Sequence, residues 1–557
     1  MNIINNTFLK PMTDSQLKFP LLIVALLLLF VLSFSNAQAY DKTSDFKVVA
    51  YHVDLRVQVM PMPTLKALAT EVAALGFNTI IMEWEATYPY KKHSIISNRY
   101  AYTPAEITDF IKHSESLGLD IIPLQHNFGH AEYILMHPRY AYLRAQKSVT
   151  KAHKDYSQVD PTKLDEAREL FTELYADILS THKSKYVHIG GDETRILDCN
   201  NCKKAWGKDG EKLGTSKLYV NYMKMIAEIV TAQGKIPLLW SDMIQKHPEA
   251  IVDMPKNVIY IDWNYGWAHD KFTTPSVDLI KKHGLTFWGA SSIRSKPDDF
   301  HMTSWNYHMN NQADYIPYAR EAGFKGIVLT SWSTSGVYGY NWAYPMNEVV
   351  EIFPVRQAYP NAYPNDGFRM NVKAFIAALN PDNPLVPKDF AEQYAQERFG
   401  LPAQQAADLW AILSSSSLNE VVAIGSKEYS GVKALTDKER HVDESLAAVR
   451  KLQSQLYKIV PQRNQQEFAH YQMQVDFREF YLSFRQIQDS VQSTSFTEKD
   501  RVVAVQQLKQ LLTRADMLNK RFRKLFAGAL YDSEITKLGE HRNAKIEYLL
   551  QRLSKQR

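Results

Sequence analysis

Short apolar runs alternate with amphipathic segments between about residues 46 and 335. Each run has a core of four to eight aliphatic, β-branched or aromatic residues. The runs are 48–55, 79–85, 120–126, 186–193, 235–243, 258–265, 285–292 and 326–332. Continuous hydrophobicity of this kind is typical of parallel strands buried on both faces. The segments between the runs have helical spacing, and two of them open with Thr103-Pro104 and Asp160-Pro161. Strands alternating with helices in this number predict a (β/α)8 barrel.

The pattern changes after about residue 380. Strand-like runs no longer occur, and the segments are charged, Gln-rich and helically periodic. They are 387–399, 402–415, 436–459, 463–492 and 497–528. We therefore predict a barrel over residues 45–360 and an α-helical domain over 375–557, joined through the proline-rich stretch 354–387. No motif in the helical domain suggests chemistry, so we expect it to pack on the barrel or to mediate association.

Residues 1–39 have the organisation of a secretory signal. An apolar run from Leu21 to Leu32 follows Lys10 and Lys18 and precedes Ala37-Gln38-Ala39. The run is too short to cross about 30 Å of hydrocarbon comfortably. We predict cleavage after Ala39, no stable membrane span afterwards, and export to the periplasm or the extracellular space. An uncleaved membrane anchor is the alternative.

Charge and cysteine content narrow the class of protein. The 557 residues carry a net charge of only +5, and no basic block stands out, so nucleic acid is not an expected partner. The two cysteines, Cys199 and Cys202, lie in one Cys-x-x-Cys run. A disulfide or another structural pair is the expected reading, since a zinc site would ordinarily need further ligands. A metal site remains the alternative.

Polar and aromatic side chains concentrate where the predicted strands end, which is where a barrel of this kind builds its active site. They are His52, Asp54, Glu83, Trp84, Glu85, His126, Asn127, His130, Asp192, Glu193, Trp240, Asp242, Asp262, Trp263, Asn264, Tyr265, Trp267, Trp288 and Trp332. The sequence contains no Walker, GxGxxG or GxSxG motif. This absence disfavours a phosphate-binding loop and a serine hydrolase.

The most specific feature is the run His188-Ile-Gly-Gly-Asp-Glu193 at the end of the fourth predicted strand. Neighbouring side chains on a regular strand point to opposite faces, so Asp192 and Glu193 can share a site only if the backbone turns. Gly190 and Gly191 permit such a turn. Two carboxylates in one site should have pKa values pushed apart, one ionised and the other held as an acid.

The run HIGGDE resembles the signature of glycoside hydrolase family 20, the β-N-acetylhexosaminidases. Further runs are similar to the hexosaminidase D branch of that family. They are residues 82–90 (MEWEATYPY), 127–135 (NFGHAEYIL), 239–243 (LWSDM) and 326–332 (GIVLTSW). The resemblance covers about residues 46–360. Many members carry an α/β domain before the barrel, and we expect none here, as in the shorter branch.

The resemblance implies a substrate-assisted hydrolysis of 2-acetamido-2-deoxy-β-hexosides, without a metal or other cofactor. Glu193 would protonate the glycosidic oxygen and then activate water. Asp192 would orient the substrate's own acetamido group, which attacks the anomeric carbon to give an oxazolinium intermediate. Adjacent carboxylates suffice for this chemistry, and the product would keep the β configuration.

The resemblance also implies a carbohydrate-binding set around this pair. Asp54, Glu83 and Glu85 would bind hydroxyls, His130 and His188 would support them by hydrogen bonding, and Asp242 would belong to the same pocket. The indoles would stack on C–H faces of the sugar, with ordinary core packing as the alternative; they are Trp240, Trp263, Trp288 and Trp332. Tyr265 would donate to the acetamide oxygen.

The final strand departs from the family pattern. Family members often read Trp-x-Glu there, whereas this chain reads Trp332-Ser-Thr. We expect Glu348, from the following segment, to replace that glutamate. The substitution leaves recognition of the sugar 4- and 6-positions open.

Two other classes of function compete with this interpretation. A metal-dependent hydrolase could use His52, His126, His130, His188 and Asp242, although no HxH or HExxH motif occurs. A non-catalytic glycan-binding protein could use the same barrel. The presence of both Asp192 and Glu193 argues against this second alternative.

Overall fold

A computed structural model gives the structure of residues 46–56, 59–146, 157–266, 275–295, 303–332, 365–418 and 442–555. The predicted signal, residues 1–39, lies outside this described part of the chain. Trp267 and Glu348 lie outside it as well.

The strands form a closed, all-parallel barrel in which each strand pairs with its neighbours in sequence order. Their bounds are β1 Val48–Asp54, β2 Thr79–Glu83, β3 Asp120–Leu124, β4 Tyr186–His188, β5 Ile236–Trp240, β6 Ile259–Trp263, β7 Thr286–Arg294 and β8 Gly326–Ser331. The barrel closes where Val48 pairs with Gly326. The eight predicted strands and the fold class are therefore confirmed.

Helices alternate with the strands of the barrel, and the described residues after β8 form helices without further strands. Their bounds are α1 Met62–Ala74, α2 Pro104–Ser116, α3 Glu132–Leu135, α4 Leu164–Leu179, α5 Asn200–Trp206, α6 Gly210–Ala232, α7 Asp242–Lys246, α8 Pro275–His283, α9 Trp305–Glu321, α10 Arg369–Ala378, α11 Pro387–Phe399, α12 Ala403–Leu413, α13 Val442–Leu456, α14 Gln465–Gln492, α15 Glu498–Phe526 and α16 Asp532–Lys555. The predicted start at Thr103 is a capping box, in which Thr103 and Glu106 satisfy each other's backbone N–H groups.

The barrel interior is filled by aliphatic and aromatic side chains that alternate along the strands. Trp288 belongs to this packing and not to the strand ends, so its predicted place at the site is wrong. It is the third residue of β7, which continues to Arg294. Its ring packs edge-on against Tyr186 at the start of β4, and a Cβ at Gly326 would lie only 2.8 Å from it. Trp288 therefore forms the floor of the barrel.

The described C-terminal region is helical and packs on the barrel. Tyr471 of α14 contacts the Trp305 ring edge-on at 5.3 Å, and Ser533 lies 2.7 Å from the hydroxyl of Tyr100. The predicted helices are found, and two more occur. Helix α10 lies inside the stretch predicted as a linker, because residues 365–380 contain no proline and Phe375 is buried. Helix α16 was not singled out in the sequence.

Among the residues that the structure describes, no helix has both the length and the hydropathy that a membrane crossing requires.

Candidate active site

The chain turns sharply after β4 and carries the two adjacent carboxylates. Gly190, Gly191 and Glu193 all have left-handed backbone conformations, with φ of 61°, 93° and 46°. A Cβ on Gly191 would lie 2.3 Å from Leu239 Cδ1. Only glycine fits position 191, because the backbone there is left-handed and a Cβ would collide with Leu239. The turn then places Asp192 and Glu193 on one side, as the sequence predicts.

His130 lies between the two carboxylates. Its Nε2 is 3.4 Å from Asp192 Oδ2 and 3.4 Å from Glu193 Oε2. Asp192 is the more buried partner, with its side chain 9% exposed, whereas the side chain of Glu193 is 37% exposed. The site thus has a buried carboxylate, Asp192, and a more accessible one, Glu193, and both contact the imidazole of His130.

The electrostatics of this trio differ from the expected split between one ionised and one protonated carboxyl. Burial would raise the pKa of Asp192, but the charge of His130 and their close contact lower it below the usual range. The contact with His130 also lowers the pKa of Glu193 against the effect of burial, and Arg195 adds to this. In return, burial would lower the pKa of His130, but the two carboxylates raise it well above its usual value. The pKa values of Asp192 and Glu193 are therefore both lowered, because His130 lies between the two carboxylates, and the predicted pairing of one ionised with one protonated carboxyl is not found.

Asp192 and Asp242 are the two carboxyls of the site whose pKa values move in opposite directions. Burial, followed by the nearby charge of Asp192, raises the pKa of Asp242 to about 6. Asp242 begins α7, directly after β5, and its Oδ2 accepts a hydrogen bond of 3.3 Å from the backbone N–H of Glu193. Asp242 therefore connects the end of β5 to the turn that carries Asp192 and Glu193.

A buried network of charges lies behind the pair. Glu83, at the end of β2, is contacted by His52 at 3.0 Å, by His126 at 2.9 Å and by Arg56 at 2.9 Å. Arg56 also binds Asp54 at 2.8 Å. Burial would raise the pKa of Glu83, but Arg56 and His126 lower it well below its usual range. The carboxylates of Asp54 and Glu83 are both fully buried, and each forms an ion pair with Arg56.

Glu85 lies beside this network, with a carboxylate oxygen within 4.8 Å of ligand atoms of Glu83 and His126. It is 4% exposed and has a left-handed φ of 43°. Burial, followed by the charge of Glu83, raises the pKa of Glu85 well above its usual value. Among the described residues, the non-glycine positions with positive φ are Glu85, His130, Glu193 and Asn464. Three of these four belong to the predicted site, and strained backbone of this kind concentrates at functional sites.

Aromatic side chains form a wall beside the pair. The Trp332 ring lies 5.6 Å from that of Trp240, and its Nε1 donates to the Tyr265 hydroxyl at 2.5 Å. Because an indole N–H can only donate, the Tyr265 oxygen accepts this bond and keeps its own proton for another acceptor. Trp263 packs on Tyr265 with ring centroids 5.4 Å apart. These four rings form an apolar wall, and the Tyr265 hydroxyl is a polar group on it.

His188 supports the turn. Burial, followed by the charge of His126, lowers the pKa of His188 well below its usual value. The backbone N–H of Gly190 donates to its Nδ1 at 3.0 Å, and its ring lies 4.3 Å from that of Trp240. The neutral imidazole therefore accepts from the turn and carries its proton on Nε2.

Sequence reasoning missed three basic residues of the site. Arg56 lies two positions beyond Asp54 at the end of β1, and that position could have revealed it. Arg195 forms an ion pair with Glu193, and Lys246 lies 3.4 Å from Asp242 Oδ2. Arg195 follows Glu193 in a loop and Lys246 ends helix α7, and no periodicity distinguishes either of them from ordinary surface charges.

Two clusters of the described residues have metal-ligand chemistry, and neither fits a metal well. Cys199 and Cys202 lie beside Asp160 but form a disulfide, which confirms the predicted pair and removes the thiolates. Glu83, Glu85 and His126 form the other cluster, in which the Arg56 guanidinium occupies one face of Glu83. The histidines proposed for a metal-dependent hydrolase have other partners, as described above.

A closed barrel that carries paired carboxylates and an aromatic wall at its strand ends has the architecture of a glycoside hydrolase. The profile of glycosyl hydrolase family 20, catalytic domain, matches residues 50–332, just over half of the chain. The chain therefore belongs to glycosyl hydrolase family 20.

Individual relatives cover the same region. Hexosaminidase D of Bos taurus is 27% identical over 296 residues, which is 50% of this chain and 83% of the relative. Hexosaminidase D of Homo sapiens is 26% identical over 305 residues, 52% of this chain and 61% of the relative. A solved β-N-acetylhexosaminidase from Bacteroides fragilis superposes with a TM-score of 0.43 and 17% identity, covering 59% of this chain and 65% of that one.

Proposed function

We propose that this chain is a retaining β-N-acetylhexosaminidase that removes terminal β-linked GlcNAc or GalNAc from glycans. Membership of family 20 and the similarity to hexosaminidase D support the proposal. The observation that carries it is the placement of Asp192 and Glu193 on a left-handed turn, about His130 and beside the Trp332–Tyr265 wall.

The two carboxylates take different roles because their environments differ. Asp192 is buried and remains ionised, so it can accept the acetamide N–H and stabilise the positive charge of an oxazolinium ring. Tyr265 retains a proton that it can donate to the acetamide oxygen. Together they would hold the acetamido group against the anomeric carbon, which makes the attack intramolecular.

Glu193 is the more exposed carboxyl and lies where a leaving group can reach it. It must carry a proton to act as the acid, whereas His130 and Arg195 favour its ionised form. A substrate that displaces water and separates Arg195 from the carboxylate would raise the pKa of Glu193. The aglycone would in this way prepare the acid that releases it.

The test is a panel of aryl glycosides: β-GlcNAc, β-GalNAc, their 6-sulfated forms and plain β-glucoside. We expect turnover only when the 2-acetamido group is present. Glu193→Gln should lower turnover by orders of magnitude, since it removes the general acid. Glu228→Gln, on the outer face of α6 and 44% exposed, is the matched control and should leave turnover unchanged. Equal activity on plain β-glucoside would contradict the proposal, as would full activity of Glu193→Gln.

We also propose that the protein is exported. The pattern of residues 1–39 supports this location, and the Cys199–Cys202 disulfide is compatible with an oxidising compartment. Cell fractionation should find the protein outside the cytoplasm without residues 1–39, and full-length protein in the cytoplasm would contradict the proposal.

A further inference from the structure

Two exposed cations lie at the mouth of the site, Arg195 on the loop that follows β4 and Lys246 at the end of helix α7, which follows β5. The side chain of Arg195 is 75% exposed and pairs with Oε1 of Glu193. The side chain of Lys246 is 62% exposed and pairs with Oδ2 of Asp242. The same Asp242 oxygen accepts the backbone N–H of Glu193 at 3.3 Å. Arg195 and Lys246 therefore belong to one continuous edge of the site, which we call the β4–β5 rim.

The chemistry of Glu193 fixes which side of the substrate this rim faces. A general acid must lie within about 3 Å of the oxygen that it protonates. Arg195 contacts a carboxylate oxygen of the same group, so its guanidinium lies within about one sugar ring of the glycosidic oxygen. In the proposed function the cleaved sugar would lie on the other side of Glu193, towards the buried indoles of Trp240 and Trp332. The exposed guanidinium thus faces the leaving group.

The rim cations differ from the other cation of the site. Arg56 is 15% exposed and already binds both Asp54 and Glu83. Arg195 and Lys246 each pair with one carboxylate and keep most of their donors in solvent. A guanidinium can bind a carboxylate or a sulfate through two parallel hydrogen bonds. An ammonium beside it adds a second positive charge without a fixed geometry.

Local charge also favours an anion here. Arg195 and Lys246 pair with Glu193 and Asp242, and His130 Nε2 lies 3.4 Å from both Asp192 and Glu193, so basic side chains lie against each of the acidic groups of the site. An anionic leaving group could then form a charge-assisted contact with Arg195 without strong repulsion from the carboxylates.

We propose that the β4–β5 rim is a leaving-group subsite for an anionic sugar, one that carries a carboxylate or a sulfate next to the terminal 2-acetamido sugar. The proposal rests on the function proposed above and names the substrate class of that site. An anionic leaving group draws Arg195 away from Glu193. Recognition of the correct substrate and release of the acid from its cation become the same event.

The experiment compares disaccharides that differ only in the charge of the leaving sugar. One carries β-linked GlcNAc on glucuronic acid, the second on glucose, and the third on glucose 6-sulfate. The readout is the ratio of kcat/KM for each anionic disaccharide to that for the neutral one. We expect a ratio of about 10 for the wild type, which corresponds to about 1.4 kcal/mol. The two anionic substrates separate a carboxylate preference from a sulfate preference.

Variants of the rim should change this ratio. Arg195→Ala should lower it to about 1, Arg195→Glu should invert it, and Arg195→Lys should retain part of it. Lys246→Ala should lower it in part. Lys183→Ala is the matched control: its side chain is 69% exposed and pairs with Glu115, just before β4 begins and at the opposite end of the barrel. This control should leave the ratio unchanged. Raising the salt concentration should reduce the wild-type ratio.

A wild-type ratio of 1 or less for both anions would overturn the inference, as would a ratio that Arg195→Ala does not change. If the enzyme hydrolyses aryl β-GlcNAc but shows either result, only the subsite is refuted. If it hydrolyses no 2-acetamido glycoside at all, the proposed function fails and the subsite fails with it.

Discussion

Replacing Asp242 by asparagine removes a carboxyl that the folded protein holds in an unfavourable place. Burial and the charge of Asp192 raise its pKa from an ordinary 3.8 to about 6. The folded state therefore binds this proton more tightly than the unfolded state does, and the carboxyl destabilises the fold increasingly as pH rises from about 4 to about 6. A displacement of this size corresponds to about 3 kcal/mol above pH 6. Asparagine can still accept the hydrogen bond from Glu193.

The assay is the melting temperature of wild type and Asp242→Asn at pH 4, 6 and 8. We expect the difference to be small at pH 4 and to favour the variant by several degrees at pH 8. Asp109→Asn is the control, since Asp109 is an exposed carboxylate whose pKa is lowered by its contact with Lys66. Its effect should be slight and opposite in sign. A difference for Asp242→Asn that does not vary with pH, or that falls as pH rises, would refute this reasoning.

Other variants test the turn and its electrostatics. Gly191→Ala should destabilise the fold by about 1–3 kcal/mol and nearly abolish turnover, because its Cβ would meet Leu239 at 2.3 Å in a left-handed conformation; a normal melting curve with full activity would contradict this. His130→Asn should shift both limbs of the pH profile of kcat/KM to higher pH, since loss of the imidazole raises the pKa values of Asp192 and Glu193. Unchanged limbs would show that His130 does not lower these pKa values. Gln158→Leu should cost about 2–5 kcal/mol in a denaturant titration, because Gln158 satisfies both the N–H (2.8 Å) and the C=O (2.6 Å) of Ile196; a loss below 1 kcal/mol would show that the loop satisfies these groups otherwise.

The sequence was sufficient to predict the barrel because each strand is a continuous apolar run between helices. It was less informative about strand ends formed by small polar residues. The predicted run ends at Ser292, whereas β7 continues to Arg294. Its polar residues have partners: Thr330 donates to the Ser291 carbonyl, and Ser292 lies 2.9 Å from the Ser295 hydroxyl. Trp288, which was assigned to the strand end although it lies in the middle of the run, packs at the barrel floor against Tyr186. Periodicity could not show this, since tertiary hydrogen bonds decide where the strand ends.

The position of the Asp192–Glu193 pair was also predictable, because two glycines before two carboxylates permit a turn at a strand end. The protonation of the two carboxyls could not be predicted from the sequence. His130 lies more than 60 residues earlier in the chain and reaches the pair only because the loops of β3 and β4 converge in the folded barrel. The same limit applies to Glu83, whose partners come from β1 and β3. A hydroxyl-binding role was predicted for it, whereas the fold surrounds it with His52, His126 and Arg56.

In the function that we propose, the substrate's own acetamido group is the nucleophile. Aryl β-glycosides with N-acetyl, N-monofluoroacetyl, N-difluoroacetyl and N-trifluoroacetyl groups test it most directly, because each fluorine makes the carbonyl oxygen less nucleophilic. We predict that kcat falls steeply with each added fluorine, while the product retains the β configuration. A kcat that is independent of fluorination would contradict the proposed mechanism and show that a protein carboxylate or water attacks the anomeric carbon.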